Sequence, residues 1–410
     1  MQRRKFLTTA LTPALAPALA QAAKGRTPKI LVRSSWQVVN IGDIAHSPGV
    51  LTLLEKHIPN AEVTLWPSSL ANGVEAMIRR RFPKLKIVLT PDEIKQAIDS
   101  NDFLLHGSGP FLVAADDVDR WRATTSKPYG VYGITFPKER ATPKVVDTLN
   151  GARFVFFRDS VSLATARAAG VKAPVMEFAP DGAFATDLRN DEAANAFLRE
   201  HALEPGKFLC CIPRFRMTPD WLMLSRKRPY DAERDKRNLA MKEHDHAPLC
   251  EAITRVVREA HLRILICPED ETQVALGKEI LYDKLPEDVK PSVVWRDHFW
   301  LTDEALSTYR QSAGLFGNEM HSPIMCIGHG IPAIVCRFEE QTSKGFMWRD
   351  IGLNDWLFDL DVETDLPKIA PAVLAMAKYP VAARRKALKA RSVVLARQKA
   401  TMQLLRRQIS

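Results

Sequence analysis

The sequence predicts an α/β protein built from two Rossmann-like domains that face each other across a cleft, followed by a basic C-terminal helix. Three observations carry this reading. A chain of 410 residues is too long for one compact core. From Pro28 onward, short β-rich runs alternate with helical ones, the pattern of a parallel sheet covered on both faces. That pattern pauses at the polar helical stretch Glu192 to His201 and the turn Glu204-Pro205-Gly206, and then restarts.

The first residues stand apart. Gln2 to Thr8 (QRRKFLT) carries paired arginines, a mildly apolar stretch follows to Ala20, and Ala20-Gln21-Ala22 closes it. This resembles a twin-arginine export signal over residues 1–22, with cleavage after Ala22, because Pro13 and Pro17 would break an ordinary N-terminal helix. The protein is therefore expected to be exported and periplasmic.

The N-terminal domain, residues 26–195, reads as strands over 29–36, 61–67, 103–109, 127–135 and 152–157, with a helix over 46–57. The C-terminal domain, 205–365, reads as strands over 207–213, 262–268, 291–296, 313–318 and 331–336. Between its first strand and a helix beginning near Pro248, Met217 to His246 reads as a charged, solvated loop. The His244-Asp245-His246 run in it has no further ligand group nearby, so no metal is expected there. A short helix is predicted from Pro323 to about Ile327, with Ser322 as its N-cap.

Charge is uneven. The net +10 includes eleven Lys/Arg and no acid in Leu366 to Ser410, so residues 23–365 carry a small negative excess. That excludes nucleic-acid binding as the meaning of the basic total. The tail, 366–410, has helical spacing of Leu388, Val394, Leu395, Met402 and Leu405. It is expected to pack across the domain junction, with contact to an anionic membrane surface as the alternative. The six cysteines lack C-x-x-C spacing and read as buried thiols.

Candidate chemistry centres on a repeated tripeptide. His46-Ser47-Pro48 and His321-Ser322-Pro323 each read as a helix opening at a strand's carboxyl edge, which would offer two histidines and two free helix N-termini to a doubly anionic ligand. Gly42, Gly107 and Gly109 read either as tight-turn glycines or as parts of the cleft. Asp43 and Asp159 read either as caps or as cleft residues.

Five stretches come in a recognisable order: Asn40-Ile41-Gly42-Asp43, His106-Gly107-Ser108-Gly109, Arg158-Asp159-Ser160, Pro180-Asp181-Gly182-Ala183-Phe184, and the His321 segment with Lys344-Gly345-Phe346. Together they resemble the polysaccharide pyruvyl transferase family over roughly residues 30 to 360. The resemblance implies a GT-B-like architecture and transfer of a pyruvyl group from phosphoenolpyruvate to a sugar, giving a ketal without a cofactor. It further places the catalytic histidine at His321, and Asp43 reads as a second catalytic residue. Arg214 or Arg216, with Ser322, Lys344, His46 and Ser47, would bind the anionic donor, and Asn40, Gly42, Gly107, Gly109, Arg158 and Asp159 would form the cleft motif. One position departs from the pattern: Glu319 stands where the family commonly has an arginine, and is expected to repel phosphate and raise the pKa of His321. The alternatives are a transferase with another anionic donor and a non-catalytic glycan-binding protein.

Overall fold

The computed structural model describes residues 27–409, and the export signal read at residues 1–22 lies outside them. The first sheet holds β1 (Lys29–Arg33), β2 (Glu62–Leu65), β3 (Lys86–Ile87), β4 (Phe103–His106), β5 (Tyr129–Ile134), β6 (Val155–Phe157) and β7 (Met176–Phe178). The second holds β8 (Phe208–Ile212), β9 (Arg263–Ile266), β10 (Val293–Trp295), β11 (Gly314–Gly317), β12 (Ala333–Arg337) and β13 (Leu357–Asp359). Every pairing is parallel, in the orders β3-β2-β1-β4-β5-β6-β7 and β10-β9-β8-β11-β12-β13.

Both orders reverse direction once, between β1 and β4 in the first sheet and between β8 and β11 in the second. In open parallel sheets, ligands bind beyond the strands' carboxyl ends at that reversal. The segments leaving β1, β4, β8 and β11 therefore fix where a site must lie. Central strands such as Ile30–Val32 and Leu209–Ile212 are wholly buried, which is why they read as unbroken apolar runs. The edge strands β3, β7, β10 and β13 span only two or three residues.

Three predicted elements differ. The first helix runs from Ile41 to His57, with Asn40 as its N-cap, so His46-Ser47-Pro48 lies in its second turn and opens nothing. The late helix runs from His321 to Gly328 behind Met320, and Ser322 is inside it, not its cap. Residues 217–246 are not a solvated loop: two short turns, Asp220–Leu222 and Leu224–Arg226, lead to the 24-residue helix Ala232–Arg255, capped by Asp231 and carrying Pro248 within it. The His-Asp-His run is committed there, since Asp245 pairs with Arg216 and His246 Nδ1 faces the Lys242 carbonyl.

The tail holds two helices: Leu366–Lys378 packs into the C-terminal core, and Pro380–Ile409 lies across both domains. Ala383, Ala387, Ala390 and Val394 join the C-terminal core, while Met402 and Leu405 join the N-terminal one. The buried stripe is thus partly alanine, and the expected Leu388 and Leu395 stay exposed. Arg391 donates to the Gly328 carbonyl and Arg397 pairs with Glu177, holding the strap to each side. Among the described residues no helix is long and apolar enough to cross a membrane. All six cysteines are free thiols, five of them buried.

Candidate functional site

The junction is built from the first turn of the first helix. The Ile41 amide donates to the Glu269 carbonyl, and Asn40 forms a bridge with Asp270, tying the end of β1 to the segment after β9. Asn40 Oδ1 accepts from the amides of Gly42 and Asp43, at 2.8 and 2.9 Å. A Cβ on Gly42 would lie 2.3 Å from the His321 Cβ and 2.5 Å from its ring. Gly42 is there to let that imidazole cross the helix, not to turn the chain. Gly107 and Gly109 serve similarly, since a Cβ on either would meet Ser34 or Ser35 at 2.6 or 2.8 Å.

His321 Nδ1 lies 3.1 Å from Glu269 Oε1. The other oxygen of Glu269 accepts from the Ser322 amide and hydroxyl, both at 2.7 Å. The protein's own carboxylate therefore occupies the helix N-terminus predicted to be open to a ligand, and Ser322 is spoken for. His46 Nδ1 lies 2.9 Å from both Asp181 Oδ1 and Ser108 Oγ. Ser47 is buried and bonded to Ser34. Neither serine faces the cleft as an anion ligand.

Arg158 donates to Thr135 and, at 2.7 Å, to Asp181, with both charged groups fully buried. Burial opposes ionisation of Asp181, but the His46 ring and the Arg158 guanidinium hold its carboxyl well below the usual range. Asp159 caps the helix Ser160–Ala168, accepting from Ser162, and takes no part in the site. Burial, then Lys344 and His46, push the His321 pKa well below that of free histidine. The rise expected from Glu319 does not occur, because that carboxylate is turned to Arg214 and Gln273, at 2.7 Å from each.

A cavity of about 430 Å³ opens over this junction. Six cations line it, Arg158, Arg214, Arg216, Arg226, Arg234 and Lys344, against the acids Asp43, Asp220 and Glu340. The five arginines are all ion-paired; Arg216 alone meets Asp245, Glu340 and Asp361 and has no charge to spare for a ligand. Lys344 is buried and has no ion-pair or hydrogen-bond partner among the described residues. Burial first, then the charge of Arg214, lowers its pKa to about 8. The lysine read at sequence level as one candidate among several is the cation left free for an anion.

Residues 40–339 match the polysaccharide pyruvyl transferase family. The chain belongs to that family. Solved structures show the same GT-B-like fold. MnaA of S. aureus with UDP superposes with a TM-score of 0.54 at 12% identity, covering 89% of this chain and 91% of its own. HepE of Anabaena with UDP-glucose gives 0.56 at 9%, covering 93% and 99%. The UDP-GlcNAc 2-epimerase of Neisseria meningitidis bound to UDP-GlcNAc gives 0.53 at 10%, covering 92% and 100%. Such identities show fold alone. No curated protein matches the chain.

Within this pyruvyl transferase family member, two carboxylates escaped the sequence reading. Asp181 sits inside the quoted Pro180-Asp181-Gly182 stretch, though nothing in its spacing pairs it with His46, 135 residues away. Glu269 follows Pro268 at the carboxyl end of β9, a position that the strand rule alone could have marked.

Proposed function

We propose that the chain transfers a pyruvyl group from phosphoenolpyruvate to a sugar of a cell-envelope or exported glycan, forming a ketal and releasing phosphate. In that reaction one sugar oxygen bonds to C2 of the donor, the methylene carbon gains a proton, the C2–O bond to phosphate breaks, and a second hydroxyl closes the ketal. Within the family assignment, the observation that supports an anionic donor is Lys344, a largely buried lysine in a cation-lined cavity that forms no ion pair among the described residues. Taking it out of water costs stability unless an anion restores the balance.

Asp43 and His321 line the cavity, with His46 buried behind them, and they are the groups placed to take a proton from a sugar hydroxyl. With its pKa depressed, His321 is neutral at pH 7 and acts as a lone-pair acceptor, not as an imidazolium donor. Incubating the chain with phosphoenolpyruvate and oligosaccharides, and following phosphate release with mass spectrometry of the glycan, tests the proposal. A gain of the pyruvate ketal mass is expected. A nucleotide-sugar donor is the second reading, favoured by Glu319 in place of the family's arginine, and UDP-glucose in the same assay separates the two.

The paired arginines support export through the twin-arginine pathway, with the acceptor glycan outside the cytoplasm. Arg3→Lys with Arg4→Lys is expected to retain the chain inside the cell, and export equal to the parent would refute it.

A further inference from the structure

We infer that Asp43, His46 and His321 form a binding site for a divalent cation of the zinc or cobalt type at the floor of the cleft. One ligand atom from each lies within 4.8 Å of the others, and His46 Nε2 is 3.8 Å from Asp43 Oδ1. The two imidazole rings stand edge to face with centroids 4.9 Å apart.

The protonation pattern leads to a cation. Each histidine gives its Nδ1 to a buried carboxylate, His46 to Asp181 and His321 to Glu269. A carboxylate can only accept, so each Nδ1 carries a proton, and in the neutral ring that a metal requires the lone pair is on Nε2. Both Nε2 atoms are buried without a hydrogen-bond partner, and both rings are at least nine-tenths buried. With both rings neutral, three acceptors with no donor between them converge beside the cavity. Buried acceptors left in this state are costly and rare in native proteins.

A divalent cation resolves the arrangement. Two imidazoles and a carboxylate suit such an ion, and three protein ligands with an open position describe a catalytic rather than a structural site. Carboxylates on the far ring nitrogens are the usual outer support of metal-bound histidines, fixing tautomer and ring orientation. Metal–ligand bonds of about 2.0–2.2 Å require the three groups to draw together modestly. Asp43, the least buried of them, has room to do so. The open position faces the cavity that Asp43 and His321 line, so a sugar or donor oxygen bound there would have its pKa lowered. The inference stands on these three side chains and holds whichever donor the cleft takes.

The full chain, stripped with a chelator, is titrated with Zn²⁺ and Co²⁺ by calorimetry, and the visible absorption of Co²⁺ is recorded. One equivalent per chain is expected, with Co²⁺ bands that Zn²⁺ abolishes. His46→Gln and Asp43→Asn each remove a direct ligand and should weaken binding by at least the roughly 10–100-fold that loss of an outer-shell partner costs. Asp43 is partly exposed, so its variant keeps the test open where a buried histidine variant fails to fold. His244→Ala, outside the site, should bind as the parent does. A parent without Co²⁺ bands, or binding unchanged in Asp43→Asn, overturns the site. Nitrogen NMR that finds one ring doubly protonated near neutral pH would also overturn it, making the cluster a proton site instead.

Discussion

Replacing Lys344 with methionine should make the protein more stable at neutral pH and poorer at binding its donor. Burial lowers the pKa of this lysine from 10.5 to about 8, because the cavity wall and Arg214 disfavour its charged form. A shift of about 2.5 units corresponds to roughly 3 kcal/mol held against the folded state whenever the ammonium is charged. Below pH 8 the lysine is protonated in both states and the whole cost is present. Between pH 8 and 10.5 the folded chain releases the proton while the unfolded chain keeps it, so parent stability rises with pH. Lys344→Met escapes the cost, and its advantage in urea unfolding should be largest at pH 7 and fade as pH rises past 10.5. An anion beside Lys344 restores the charged form, so phosphoenolpyruvate binding at pH 8 should take up about half a proton and weaken as pH rises. Calorimetry in buffers of different ionisation enthalpy, with chelator present, reads that uptake. A variant less stable than the parent at pH 7, or donor binding with no proton uptake and no pH dependence, refutes the reasoning.

Gly42→Ala should leave the first helix intact, since alanine is favoured there by about 1 kcal/mol. It should nevertheless displace the His321 ring, which a Cβ would approach to 2.5 Å, and cut Co²⁺ affinity and turnover at least tenfold while circular dichroism stays unchanged. Deleting residues 382–410 uncovers the cores of both domains at once, so the melting temperature should drop clearly. Unchanged stability with lost binding to anionic vesicles would instead assign the tail to a membrane surface.

The two-domain architecture was legible because central parallel strands such as Leu209 to Ile212 are buried on both faces and must read as apolar runs. The cleft was legible too, since glycine- and histidine-bearing segments follow β1, β4 and β11. The roles of its residues were not. His46-Ser47-Pro48 has the local chemistry of a helix start, but Asn40 five positions before Ala45 caps the helix first, and proline is carried inside it. Arg216 and Lys344 looked alike as cations. What separates them is the long-range placement of Asp245, Glu340 and Asp361 around one and of no carboxylate at hydrogen-bonding distance from the other.

Glu319 is where that long-range placement can be tested most sharply. Its carboxylate neutralises Arg214 at the cavity wall and, after burial itself, is the main reason the Asp270 pKa rises to about 7. Glu319→Gln removes one charge and lets Asp270 ionise at lower pH. Well below pH 7 the parent holds Asp270 protonated, and the variant releases that proton more readily, so the charge lost with Glu319 is partly offset. At pH 8.5 both carboxylates are ionised in the parent and only Asp270 in the variant, and the site gains a full positive unit. Anion binding should therefore strengthen more in Glu319→Gln above pH 7 than below pH 6. Stability gives an independent reading. An acid whose folded pKa is raised holds an extra proton in the folded state, so parent stability falls as pH rises from about 4 to 7. That slope should flatten in the variant. If donor affinity rises equally at pH 5.5 and 8.5, or the slope is unchanged, Asp270 and Glu319 are not coupled, and the charge of the cleft is set by Lys344 and its arginines alone.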